Sequence, residues 1–192
     1  MNAKNRYLTA ILTTTIGLLL TGISYADMLL DKEHSNVSFV SVKKGTIAEG
    51  HRIKNLSGSI TDKGELKVML DLSSVDTKIE VRDQRARDFL FETGKFPQAT
   101  LTAQLDKLET DGIKNITTEA VLDMHGVSQQ INVEVTVIKA GDKLLATSRM
   151  PIIINAADYK MEQGIAKLQE LAKLPSVATS VPVSFVLSFS KN

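Results

Sequence analysis

The chain has no cysteine among its 192 residues and only three histidines. The first absence excludes disulfides, thiol catalysis and a lipid-modified cysteine near the N-terminus. The second leaves His34, His51 and His125 far apart, at no i,i+4 spacing, so the metal signal is weak and each histidine is read as a turn or strand-end hydrogen bonder. A dominant charge is lacking too: 23 Lys and Arg face 22 Asp and Glu, a formal net charge of +1. That gives no global electrostatic case for nucleic acid or an anionic membrane. Beyond the first 26 residues no apolar segment approaches membrane-spanning length. No repeat, low-complexity run or linker divides the chain, so it is read as one domain.

What is present begins with a leader. Lys4 and Arg6 precede an apolar run from Tyr7 to Leu20, and Ser24 and Ala26 supply the small residues of a cleavage site. This pattern predicts a secretory signal over residues 1–26, cut after Ala26, and a periplasmic product formed by residues 27–192. Without disulfides that product must hold together by burial and sheet closure alone.

Most of the remainder alternates apolar and polar residues at period two. The clearest stretch is Val181, Val183, Phe185, Leu187 and Phe189. Leu66 to Leu72, Leu101 to Leu105, Ile116 to Leu122 and Ile131 to Val137 repeat the pattern. Val37 to Val42, Ile53 to Ile60 and Leu144 to Ile154 bring the count to about eight strands, which suits an antiparallel barrel or sandwich. Asp62-Lys63-Gly64, Asp111-Gly112, His125-Gly126 and Gly141-Asp142 mark the turns.

Two segments break the alternation and are read as short covering helices. The first follows Thr77-Lys78-Ile79-Glu80, which has the spacing of a capping box. Asp83 and Arg87 are placed for an i,i+4 pair, and Gly94 with Phe96-Pro97 offers a stop. The second runs from Glu162 to Leu174, with Ile165, Leu168, Leu171 and Ala172 on one face. The sequence leaves open whether it is a fixed plug or a moving gate.

Four stretches in order, DKEHSNVSF from Asp31, GHRIKNLSGSI from Gly50, DLSSVDTKIEVRDQRARDFLFETGKFPQATL from Asp71 and LDMHGVSQQINVEV from Leu122, resemble the YceI-like family of secreted proteins. The resemblance covers nearly all of residues 27–192. It implies an all-β, antiparallel, eight-stranded, lipocalin-like barrel that holds a long-chain isoprenoid or related amphiphilic lipid, with no cofactor and no catalysis. Transient membrane contact fits such a ligand.

Candidate ligand-binding residues follow from both lines. Arg82, with Asp83 beside it, belongs to the family-like Arg-Asp pair and is the cation chosen for a polar head. Phe89, Leu90, Phe91 and Phe96 flank the end of the first helix, where they either pack it onto the sheet or line a mouth. Val183, Phe185 and Leu187 carry the same ambiguity between filled core and cavity wall. Residues 76–96 balance five bases against five acids, so internal pairing outweighs anion capture, and a quinone or phenol head suits the segment better than a diphosphate.

Other readings stay in view. His34, Ser35 and Asp31 could be assembled into a triad, but no G-x-S-x-G elbow accompanies them. An enzyme acting on an apolar substrate, a lyase or hydrolase, would rest on His125 or Asp83. A barrel with a filled core would instead be an interaction module.

Overall fold

The computed structural model describes residues 28–106 and 111–191; the leader read over residues 1–26 lies outside them. Several strands are broken once, where a polar side chain or a proline takes a backbone group out of the ladder. β1 (Met28–Leu30) and β2 (Asn36–Lys43) are one strand interrupted at Asp31, whose carboxylate accepts from the amides of Glu33 and His34. β3 (Ile47–Ile53) and β4 (Leu56–Ile60) form the next. β5 (Glu65–Asp71) passes through a 3₁₀ turn at Leu72–Ser74, capped by the Asp71 side chain, into β6 (Val75–Asp76). β7 (Gln98–Gln104), β8 (Gly112–Met124) and β9 (Val127–Ala140) are unbroken. β10 (Lys143–Ser148) and β11 (Ile152–Asn155) flank Pro151, which has no amide to give a ladder, and β12 (Ser180–Ser190) is last.

Counted as continuous strands these are eight, each antiparallel to the next in the chain. The ring closes because β12 pairs with β10 and β11 along one edge and with β1 and β2 along the other. Closure removes free sheet edges. One tight corner is the β8–β9 hairpin, where His125 and Gly126 take φ of 53° and 74°, as a two-residue type I′ turn requires. A side chain at Gly126 would also meet the Phe96 ring at 3.0 Å.

The alternation read from sequence sets the two faces. Val37, Val68, Ala99, Ala120, Val133, Leu144, Leu187 and Phe189 are all buried inside the ring. Both covering helices form, with corrections at their ends. α1 (Glu80–Arg85) continues as a π turn over Ala86–Leu90, and α2 spans Glu162–Leu171, shorter than the expected run to Leu174. Lys173, at φ 52°, ends its last turn.

The expected capping box does not form. Thr77 lies outside the helix, with Ile79 at the cap, and it is Asp83, not Glu80, that accepts the Thr77 amide (2.7 Å) and hydroxyl (2.5 Å). Positive φ at Lys78 turns the chain so that Asp83 can reach back. Because Asp83 is buried in this contact, Arg87 pairs with Glu80 at 2.6 Å instead of with Asp83. The stop falls at Glu92, φ 46°, two residues before Gly94. Helix α2 rests on the π turn at Gly164, where a β-carbon would lie 2.4 Å from the Phe89 carbonyl oxygen.

Candidate functional site

Inside the ring the strand faces leave a cavity of about 170 Å³ at the helix-covered end, with no polar surface in its lining. Val37, Phe39, Ile53, Val68, Leu122, Ile131, Ile154 and Val183 supply the wall, and Leu90, Phe91, Met161 and Ile165 close it from the helices. A second cavity of about 50 Å³ lies further along β12, between Ile60, Leu66, Ile116, Val133, Leu144 and Phe189. Leu101, Phe185 and Leu187 line both, so three side chains separate two parts of one apolar bore. The filled-core alternative does not fit this interior, because a tightly packed protein core leaves few voids larger than a water molecule.

The inward face of the β2–β3 hairpin changes character over four residues. Phe39 pairs with His51 across the strands, and Ser41 with Glu49. The Phe39 and His51 rings meet at 5.2 Å. His51 is buried, with Nε2 2.7 Å from the Ser41 hydroxyl. Burial, then the neighbouring Arg82 charge, pushes its pKa down, so its neutral form is favoured. From α1, Arg82 donates to Glu49 at 2.6 Å and to the Thr77 carbonyl at 3.1 Å, while Lys43 donates to the same Glu49 oxygen at 2.7 Å. Those two cations, Lys43 first, hold the Glu49 carboxyl below its ordinary range.

Of the residues singled out from sequence, Leu90, Phe91, Val183, Phe185 and Leu187 line the cavity. Arg82 and Asp83 are not in its wall and instead hydrogen-bond to Glu49 and Thr77. Phe89 points to solvent at 39% exposure, and Phe96 stacks on His125 with centroids 4.4 Å apart. Phe39, His51 and Glu49 went unmarked, although the period-two pattern through Val37 and Ile53 puts all three on the inward face.

The remaining histidines serve local structure. His34 Nδ1 meets Asp31 at 2.8 Å in an exposed loop, and Ser35 accepts the Ser188 amide. His125 sits between the Tyr159 carbonyl (3.1 Å) and Glu92 (2.9 Å), tying the β8–β9 turn to the ends of both helical segments. Among the described residues no group of three or more His, Asp or Glu side chains gathers as a metal site would need.

A closed eight-stranded barrel, capped by two short helices around an apolar bore, defines a lipocalin-like class of binding fold. Within that class the chain belongs to the YceI-like domain family, which it matches over residues 29–189. It is 37% identical to a solved polyisoprenoid binding domain from Saccharophagus degradans implicated in plant cell wall breakdown, covering 88% of this chain and all of that one, with a TM-score of 0.84. Burkholderia cenocepacia BcnA shares the fold at 19% identity, over 83% of this chain and 98% of that one, with a TM-score of 0.67. A Campylobacter jejuni YCEI protein does so at 18% identity, over 74% and 84%, with a TM-score of 0.56. No curated protein matches the chain.

Proposed function

We propose that this protein is a periplasmic carrier that holds a long-chain isoprenoid lipid, of the polyisoprenoid or isoprenoid-quinone type, inside its barrel and does no chemistry on it. The observation that carries the reading is the wholly apolar lining of a cavity inside a closed barrel. The Saccharophagus degradans domain, named for polyisoprenoid binding, supports the ligand class. The leader over residues 1–26 supports the location. His125 and Asp83, on which an enzyme would rest, stand outside the cavity wall, with both His125 nitrogens and Asp83 Oδ1 engaged in hydrogen bonds.

Energetics favour carriage over irreversible capture. Moving about forty carbons from water at roughly 0.8 kcal/mol per methylene exceeds the ceiling of non-covalent affinity, so water is the wrong reference. In a bilayer the tail already lies in an apolar medium, and transfer into an apolar bore is near neutral. Pocket fit and head-group contacts then decide loading. Ile79, Val81 and Phe89, exposed around α1 beside the cavity, suit the transient membrane contact that exchange requires.

Organic extraction of the purified protein followed by mass spectrometry tests the reading. A long isoprenoid near one per chain is expected, and its repeated absence from protein made in a host that synthesises such lipids overturns the proposal. Fractionation of cells tests the location, with the mature chain expected in the periplasmic fraction.

A further inference from the structure

The ladder that closes the ring has one short gap. β10 pairs with β9 from Lys143 opposite Ala140 to Ser148 opposite Val135, and the Arg149 amide adds a bond to the Glu134 carbonyl at 2.9 Å. β11 then pairs with β12 alone. The register shows why. Along β12, Val186 faces Thr147 and Val183 faces Ile152, so three residues on one strand answer five on the other. The two extra residues form a bulge around Pro151 that carries β11 away from β9. An even number keeps the faces, so Ile152 and Ile154 still point inward.

The gap is bounded at both ends. Arg149 and Glu134 also meet through their side chains, at 3.6 Å, and Gln129 Nε2 donates to the Asp158 carbonyl at 3.0 Å. Between these ties, Gln130 to Val133 on β9 face Ile152 to Asn155 on β11 with no backbone hydrogen bond across, over about 13 Å at the rise of a strand. Only side chains close this window. Ile131 from one side and Ile152 and Ile154 from the other are half-buried and all line the larger cavity. Outside, Met150 and Ile153 on the bulge are 62% and 60% exposed. Apolar surface thus continues through the wall from the cavity to the outer rim, and the paired Arg149 and Glu134 leave that end of the rim without net charge.

We infer that the β9–β11 window is the side passage through which the lipid moves between bore and bilayer, with Met150 and Ile153 seated in the apolar layer of an uncharged lipid surface. The helical cover keeps the end of the bore shut while the tail slips sideways. The inference rests on the carrier reading above and adds the route and the docking face.

Transfer of deuterated phytol between the loaded protein and phosphatidylcholine vesicles, followed by mass spectrometry, tests it. Met150→Lys combined with Ile153→Lys is expected to slow transfer about tenfold or more, with the amount of phytol held unchanged. Ile113→Lys, at an apolar residue 71% exposed and in neither cavity wall, is the control and is expected to transfer at the original rate. The chain has no cysteine, so Asn132→Cys with Ile153→Cys gives a unique pair across the window. Closing that pair with a short bismaleimide is expected to hold phytol in, and the same variant left open is expected to release it. If the pair does not cross-link, the lysine variants decide alone. Unchanged transfer in the lysine variant or the cross-linked protein, or equal slowing by Ile113→Lys, overturns the window and leaves the carrier reading standing. Failure of the unmodified protein to hold phytol overturns both.

Discussion

The two halves of the β2–β3 hairpin obey one strand period yet build opposite surroundings. At Val37 and Ile53 the inward positions are apolar and open onto the bore. At Ser41, Glu49 and His51, on the same face, they are polar, and α1 brings Arg82 to meet them. The difference teaches that the backbone decides only which way a side chain points. Its chemistry decides whether the space it faces stays apolar or becomes a place for polar atoms, and here the change comes within one turn of the hairpin.

A charge should therefore be disastrous in one half and mild in the other. Val37→Asp, at a wall position 7% exposed, puts an unpaired carboxylate against apolar side chains and is expected to remove more than about 4 kcal/mol, measured by urea denaturation. Glu49→Gln, in the polar half where the side chain keeps 31% exposure, is expected to change stability by about 1 kcal/mol or less in the same assay. Equal losses would erase the contrast.

The helical cover is next in size. Gly164→Val places a side chain against the Phe89 carbonyl, where α2 touches the π turn. A loss of about 2 kcal/mol in thermal denaturation is expected, with faster lipid exchange and an unchanged β-sheet circular dichroism signal. Unchanged exchange would mean that α2 takes no part in retention.

The barrel was legible because period two survives in nearly every strand, from Leu66 to Phe189, and turn residues mark the corners. The cavity was not. Val183, Phe185 and Leu187 look alike in sequence whether they fill a core or wall a bore, since that depends on how far apart closure holds the strands. The α1 entrance misled for a different reason. Thr77 and Glu80 have capping-box spacing, but positive φ at Lys78 offers Thr77 a buried partner in Asp83, and tertiary context overrides the local signal. His51 was passed over as a lone histidine because its hydrogen-bond partner, Ser41, is on the facing strand and the Arg82 charge that reaches it is distant in the chain.

Smaller effects sharpen the account of the buried polar atoms. Tyr159 is 2% exposed and its hydroxyl is unpaired, with burial pushing its pKa up to about 12. Tyr159 is not part of either cavity wall, and Tyr159→Phe, which removes the unpaired hydroxyl, is expected to stabilise the protein by about 1 kcal/mol at neutral pH. A raised folded pKa gives stability that is present below the unfolded value of 10.0 and is lost as pH climbs toward about 12. The phenylalanine variant should lack that part of the alkaline decline. The acid side has the reverse sign. His51 has a folded pKa below its ordinary 6.5, so the unfolded chain binds the proton first and stability falls as pH drops from about 6.5. Glu49, lowered from 4.5, adds a second fall at lower pH. Denaturation midpoints of His51→Leu across this range should lack the first decline and keep the second.

The most direct test of the apolar bore is a crystal structure of the protein loaded with phytol. Continuous density for the tail is expected from Phe39 past Leu101, Phe185 and Leu187 toward Phe189, one molecule to a barrel. Density confined to the outer surface, with those three side chains packed shut over an interior that admits no lipid, would contradict the account.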